Sequence, residues 1–303
     1  AYNVLERKAL DYFIHNAGSP DGVIEGGLAI FAGGNEAAPA ASYPGAYPDF
    51  IAVAATAADF TPAVYTNYGP GTTISAPGGD QDYYYEYADE DHWVGEVGCI
   101  LSTVPEHVSE SGYAYMEGTS MACPHVSGVA ALGLSYAAKL RKHFTAEEFK
   151  ALMYETVTPI DSYFKDKKTY KRYVADLVES SPFMQINMND FKGKMGNGQV
   201  NAYALLKAVE GSGVEMTFPN IYVAEGGSST VVPAMYFIDG ETLTYSVSVQ
   251  DASVAKVSEV VNGKMTIEGL KAGQTSATIK TSNGKSQDFV ITVRSGATGN
   301  GWL

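Results

Sequence analysis

Gly118-Thr119-Ser120-Met121-Ala122-Cys123-Pro124-His125-Val126-Ser127-Gly128 is the stretch on which the reading of this chain turns. A serine hydroxyl is a weak nucleophile until a base takes its proton and donors receive the oxyanion that forms on attack. Here the serine opens a segment that is almost wholly small or apolar from Ser120 to about Ala138, the pattern of a helix buried all round. Gly118 lets the backbone approach a substrate closely, and the first amides and dipole of a helix favour negative charge. Pro124 reads as part of the opening turn, where its missing N–H does little harm. The same residues also suit plain helix capping by Thr119 or Ser120, and spacing alone leaves the two readings level.

On either side of this stretch, residues 1–212 mix helices with buried strands, the grammar of an α/β fold. Leu5, Ala9, Tyr12 and Phe13 recur at helical spacing until Gly18-Ser19-Pro20 ends the run. Leu28-Ala29-Ile30-Phe31-Ala32 and Phe50-Ile51-Ala52-Val53-Ala54-Ala55 are short continuous apolar runs, the form of strands covered on both faces. Thr145-Ala146-Glu147-Glu148 predicts a capping box for a helix through about Glu155, and Gly198 to Val209 predicts one more.

After Glu210-Gly211-Ser212-Gly213 the pattern changes to strict alternation. Leu243, Tyr245, Val247 and Val249 share one strand face, as do Phe289, Ile291 and Val293. Asn262-Gly263 and Asn283-Gly284 lie between such runs and favour the positive φ of tight hairpins. Residues 213–294 are therefore read as a small all-β sandwich, and 295–303 as a tail or linker.

Composition narrows the function classes. The chain has 303 residues, 45% hydrophobic, enough for a sizeable core and two domains. With 34 acidic against 20 basic residues the net charge is -14, which argues against nucleic acid or an anionic membrane as partner. No apolar run reaches the ~18 residues of a membrane span. The first residues carry no signal-peptide pattern, so targeting information is expected outside this sequence. Cys99 and Cys123 are the only cysteines; buried thiols are preferred to a bridge between them, and no metal-binding cysteine pattern occurs. The acidic, Tyr-rich residues 79–97, with Asp80, Asp82, Glu86, Asp89, Glu90 and Asp91, would suit a structural calcium, but a solvated loop is preferred. Lys165, Lys167, Lys168, Lys171 and Arg172 read as an exposed basic face. No other metal and no organic cofactor is expected.

The run from Gly118 to Val126 resembles the nucleophile motif of subtilisin-like serine proteases, Gly-Thr-Ser-Met-Ala-x-Pro-His-Val, with every fixed position in order. The resemblance implies that Ser120 is the nucleophile and that its own N–H serves the oxyanion hole. Phe31-Ala32-Gly33-Gly34-Asn35-Glu36 is similar to the segment that carries the second donor, which would be Asn35. Tyr43-Pro44 matches a Tyr-Pro step that the family commonly makes cis. By the same alignment Ala32, Gly33, Gly34 and Ser42 line the pocket for the residue before the scissile bond, with Gly118 and Thr119 beside it. Their small size suggests room for a large apolar or aromatic side chain. Ser75-Ala76-Pro77-Gly78, Ile100-Leu101-Ser102-Thr103 and Gly196 to Asn201 continue the similarity, which spans about residues 2–210. Residues 213–294 resemble bacterial immunoglobulin-like repeats, most clearly at Val254-Ala255-Lys256-Val257 and Ile267 to Gly273.

The family's Asp and His motifs occur nowhere in the sequence. His125 is five positions from Ser120, so it points about 140° away, and the resemblance implies that it is a packing residue. His15, His92, His107 and His143 lack triad context. The implied fold is thus part of a subtilisin-like three-layer α/β domain with a parallel sheet, residues 1–212, followed by the sandwich. An N-terminal half of the same protease, held as a separate chain, is expected to cover an open sheet edge and a bare helix face and to bring the base and its carboxylate. The resulting reading is a secreted or cell-surface endopeptidase acting on polypeptides. The rival reading is a noncatalytic scaffold or surface adhesion protein that keeps the protease fold.

Overall fold

A computed structural model of the chain describes residues 4–81, 98–171 and 183–296. In chain order the first elements are α1 (Val4–Asn16), β1 (Ile24–Glu25), β2 (Ile30–Ala32), β3 (Ile51–Thr56), β4 (Ile74–Pro77), β5 (Ile100–Thr103) and β6 (Tyr113–Met116). Next come α2 (Thr119–Lys139), β7 (Lys142–Thr145), α3 (Ala146–Glu155), β8 (Lys167–Lys171), β9 (Phe183–Asn187) and α4 (Ala202–Gly211). The last strands are β10 (Val214–Glu215), β11 (Ile221–Ala224), β12 (Ser228–Val231), β13 (Tyr245–Val249), β14 (Ala255–Val257), β15 (Met265–Gly269), β16 (Gly273–Thr281) and β17 (Ser286–Arg294). They fall into two compact units, one of Ala1–Ala17, Gly26–Ser135 and Thr145–Gly211, the other of Gly18–Glu25, Tyr136–Phe144 and Ser212–Leu303.

The first unit is built on the parallel sheet β2-β3-β4, registered Ile30↔Ile51 and Val53↔Ile74. All six residues of β3 are buried, as its continuous apolar run requires for a strand covered on both faces. Strand β2 is only half-buried, and among the described residues no strand pairs with its outer edge. Helices α2, α3 and α4 meet closely at Gly133, where a Cβ would lie 2.9 Å from both Leu205 Cδ2 and Phe149 Cζ. Phe149, Met153, Leu205 and Val209 complete that buried contact.

Two helix starts follow the sequence signals. Thr145 caps α3 through its hydroxyl, which accepts from the Glu148 N–H at 3.2 Å, while Glu148 accepts from the Thr145 N–H at 2.8 Å. Asn201 caps α4 by accepting from the Ala204 N–H at 2.9 Å. Helix α1, in contrast, buries none of its residues: Leu5 is 78% and Tyr12 72% exposed. It is held by Arg7, which pairs with Asp49 and lies 4.5 Å and 4.8 Å from the ring centroids of Tyr47 and Phe50.

Helix α2 departs from expectation. It is buried on one stripe, Ala122, Val126, Ala130, Gly133 and Ala137, and not all round. Ser120, Pro124, His125, Ser127, Gly128, Ala131, Leu132 and Ser135 are exposed, because no described element packs over that side. His125 is therefore no packing residue here; its Nδ1 lies 2.8 Å from the Met121 carbonyl one turn back. Pro124 sits in the second turn, so the Ser120 carbonyl lacks the N–H that residue i+4 normally supplies.

Two charged positions also differ. Asp80 is fully buried and accepts from the Val64 N–H at 2.9 Å, so it belongs to no solvated face. Lys168 turns inward to Asp59 at 2.8 Å and the Thr61 hydroxyl at 2.6 Å, while Lys165 and Lys167 are exposed as expected. Residues 82–97, Arg172 and the tail from 297 lie outside the described residues, as does the question of calcium at 82–97. Cys99 and Cys123 form no disulfide, and each is half-buried.

The second unit holds the small sheet β1-β7-β10 and two larger ones, β11-β17-β16-β13 and β12-β15-β14. Val223, Val231, Met265, Ile267, Ile279, Phe289 and Ile291 form one buried cluster from both larger sheets. Alternation places Phe289, Ile291 and Val293 inward and leaves Ser246 and Ser248 of β13 exposed. Asn262 and Gly263 both take positive φ, 51° and 75°, in the turn closed by Val261 and Lys264. The other hairpin needs positive φ only at Gly284, since Asn283 caps the turn by accepting from the Thr281 hydroxyl at 2.6 Å.

The capping box makes a direct test of local encoding: Thr145→Ala should cost about 0.5–2 kcal/mol in chemical denaturation, and a midpoint unchanged from wild type would contradict it.

Candidate active site

The site begins where β2 ends and α2 starts. Gly118 is the N-cap of α2: its φ is +148°, a value that favours glycine, and its carbonyl accepts from Met121 at 2.9 Å and Ala122 at 3.2 Å. A helix leaves its first N–H groups without intrahelical partners. Met121 N–H finds the Gly118 carbonyl, and Thr119 N–H donates to Asn35 Oδ1 at 2.9 Å. Ser120 N–H is given no protein acceptor among the described residues, and neither is the Ser120 hydroxyl.

Asn35 is fixed through the same oxygen. The Thr119 hydroxyl also donates to Asn35 Oδ1, at 2.8 Å, and accepts from the Gly34 N–H at 3.2 Å. With Oδ1 occupied twice, the amide's orientation is set and its Nδ2 donors remain available. A Cβ built on Gly118 would lie 3.5 Å from Asn35 Nδ2 and 3.5 Å from the Ser120 nitrogen. Both nitrogens thus lie within 3.5 Å of one point beside the serine.

The expected pocket residues are tied to one another and to Asn67. Gly33 and Gly34 carry their carbonyls into local bonds: Gly33 O accepts from Ser42 N at 2.7 Å, and Gly34 O accepts from Asn67 N at 3.0 Å. A Cβ on Gly34 would come within 2.6 Å of both Glu36 Oε2 and Ser42 Oγ, and closer still to Asn67 Nδ2. Polar side chains thus fill the space beside the Cα of Gly34, and the Val53 backbone that beside Gly33. Ala32 is half-buried at the end of β2, and the Tyr43-Pro44 peptide is cis.

Asn67, unmarked by any sequence signal used above, organises this wall. Buried to 1% exposure, it accepts from Glu36 N at 3.0 Å and Ala38 N at 2.9 Å and donates to Glu36 Oε2 at 2.7 Å and Ser42 Oγ at 3.2 Å. Tyr65 supports the loop opposite by donating to the carbonyls of Gly79 at 2.5 Å and Gly78 at 3.0 Å. Burial pushes the Tyr65 phenol well above its ordinary range, and the charge of Glu117 adds to that, so Tyr65 is a structural donor and no acid or base.

Among the described residues no histidine bonds to Ser120. His15 and His143 lie against the carbonyls of Asp11 and Gly22, His107 is exposed, and His92 lies outside the described residues. No group of three or more His, Cys, Asp or Glu side chains among the described residues is arranged to hold a metal ion.

Comparison with known proteins sets this geometry in a family. The chain is 39% identical over 107 residues to alkaline elastase YaB of a Bacillus species, a match covering 35% of this chain and 22% of the elastase. It is 33% identical over 134 residues to the extracellular basic protease of Dichelobacter nodosus, covering 44% of this chain and 20% of that protein. The matched stretch therefore spans about a fifth of the length of these relatives. Among solved structures, a protease from Pseudoalteromonas arctica matches at 26% identity and a TM-score of 0.40, covering 60% of this chain and 42% of that one. Residues 7–198, more than half of the chain and including both donor segments and the serine, match the Subtilase family, peptidase S8, and the chain belongs to that family.

Proposed function

We propose that this chain carries the nucleophile and oxyanion hole of a secreted or cell-surface serine endopeptidase, which hydrolyses peptide bonds through an acyl-enzyme on Ser120. The observation that carries the reading is the pair of free donors, Ser120 N–H and Asn35 Nδ2, each 3.5 Å from the point a Cβ on Gly118 would occupy. An oxyanion formed on the carbonyl under attack would accept from both. Gly118 and Thr119 take part indirectly, one by leaving the space open and the other by orienting Asn35. Ala32, Gly33, Gly34 and Ser42 border the substrate's side chain on the far side of that hole. Extracellular proteases among the relatives support secretion.

The base and its carboxylate come, in this proposal, from an N-terminal part of the same gene product, packed as a second segment. Support lies in the surfaces left bare: the outer edge of β2, the exposed side of α2 and the apolar face of α1. An unpaired parallel-sheet edge and exposed Leu5, Tyr12, Phe13 and Leu132 are liabilities in water unless covered. Residues 213–294 would form an immunoglobulin-like module beside the catalytic portion 1–212, with 295–303 as a linker; two sheets around one apolar cluster support that. A noncatalytic scaffold has no use for two free donors aimed at one point beside an unencumbered serine.

With both segments present, a fluorophosphonate probe should label this 32.2 kDa chain, and Ser120→Ala should abolish the label. Label that persists in Ser120→Ala would sink the assignment. Asn35→Ala should slow labelling and peptide hydrolysis by ~10²–10³, the effect of removing such a donor in subtilisin. Gly118→Ala tests the hole from its other wall. Its methyl would fill the space between the donors and meet a disfavoured φ, so turnover should fall at least as far as in Asn35→Ala; near wild-type turnover would place the hole elsewhere.

A further inference from the structure

The residue before Gly118 is Glu117, and its carboxylate is fully engaged. Glu117 Oε2 accepts from the Gln81 backbone N–H at 2.7 Å, and Oε1 accepts from the Gln81 side-chain Nε2 at 2.7 Å. Three residues before Gln81, just past the end of β4, the Gly78 carbonyl accepts from the Gly118 N–H at 3.0 Å. The segment 78–81 is itself anchored, by the Tyr65 hydroxyl at the Gly78 and Gly79 carbonyls and by Asp80, which takes the Val64 N–H and gives its own N–H to the Gly98 carbonyl at 2.9 Å. A charged acceptor held by two neutral donors makes stronger and more directional bonds than a neutral pair. Among the described residues no side chain of opposite charge bonds to the Glu117 carboxylate, and Gln81 supplies both of its donors.

We propose that Glu117 is a positioning residue for the oxyanion hole, with Gln81 as its holder: the two-pronged clamp fixes the peptide entering Gly118 and so aims the Ser120 N–H. The proposal rests on the reading of Ser120 as nucleophile. Glu117 touches no reacting atom. It sets the direction from which Gly118 enters its +148° conformation, and the amides that follow inherit that direction. A displacement of about 1 Å in such a donor is enough to cost catalysis heavily.

The bonds can be reversed in polarity, which gives a test that separates positioning from folding. Gln81→Glu sets a second carboxylate against Glu117, where like charges repel. The swap Glu117→Gln with Gln81→Glu restores both contacts, since the amide at 117 can accept from the residue 81 N–H and donate to the new carboxylate. In the protein with both segments present, Gln81→Glu should lower the fluorophosphonate labelling rate and kcat by about tenfold or more with KM little changed, and the swap should recover most of the loss. Amide hydrogen exchange of residues 117–123, measured on the 303-residue chain, should quicken in Gln81→Glu and return in the swap. Labelling at the wild-type rate in Gln81→Glu, or a swap no better than the single variant, overturns the proposal. If wild type itself takes no label, the protease reading fails, and the exchange data alone then decide the clamp: restored protection in the swap supports it, and protection unchanged across all variants overturns it.

Discussion

Two hydrogen bonds into one oxygen join the end of β2 to the start of α2: Asn35 Oδ1 accepts from the Thr119 N–H at 2.9 Å and from the Thr119 hydroxyl at 2.8 Å. The rest of the site follows from that shared oxygen. It occupies one of the helix's unpaired amides and so leaves Ser120 N–H as the free one. It also turns the Asn35 amide so that the nitrogen faces outward, and the same hydroxyl accepts from Gly34 to hold the loop between. Parallel pairing of β2 with β3 brings this junction to the carboxyl end of the sheet, where α/β folds place their ligand sites.

A second layer keeps that junction rigid. Asn67 holds Glu36, Ala38, Gly33 and Ser42 from a fully buried position, so each polar group it brings inside has a partner. Buried polar groups are costly when unpaired and directional when paired, and here their directionality shapes the loop that carries Asn35. The segment from Gly78 to Gln81 plays the equivalent part for Gly118. Oxyanion donors need to be set before the substrate arrives, and the bonds that hold Asn35 and Gly118 all lie within a single compact unit, as the proposed role demands.

What the sequence reveals divides along the same line. The strand at 51–56, the capping box at Thr145, the hairpin at Asn262-Gly263 and the motif around Ser120 are legible because their determinants lie within a few residues of one another. Asn67, Tyr65 and Gln81 are not, since their roles arise from partners 13 to 36 positions away that only the fold brings near. Asp80 and Lys168 read as solvated charges, yet each has a specific partner that pulls it inward. The small residues at 33 and 34 hide their surroundings for a related reason: composition reports that a side chain is absent, and not what fills the space it leaves.

Helix α2 is the more instructive departure. Its composition is that of a helix covered on every side, yet the chain covers only the stripe Ala122, Val126, Ala130, Gly133 and Ala137. The bare positions Ser120, Pro124, Ser127, Gly128, Ala131 and Ser135 follow the 3.6-residue period and form one continuous face that begins at Ser120. Small residues along such a face suit the close approach of another backbone, and solvent places no such demand on them. Under the proposed reading, a base for Ser120 would arrive over this same face, because the opposite one is buried in the unit's own core. The uncovered side of α2 and the unpartnered hydroxyl are thus one surface, and a single packed segment would satisfy both the burial that the composition anticipates and the chemistry that Ser120 lacks.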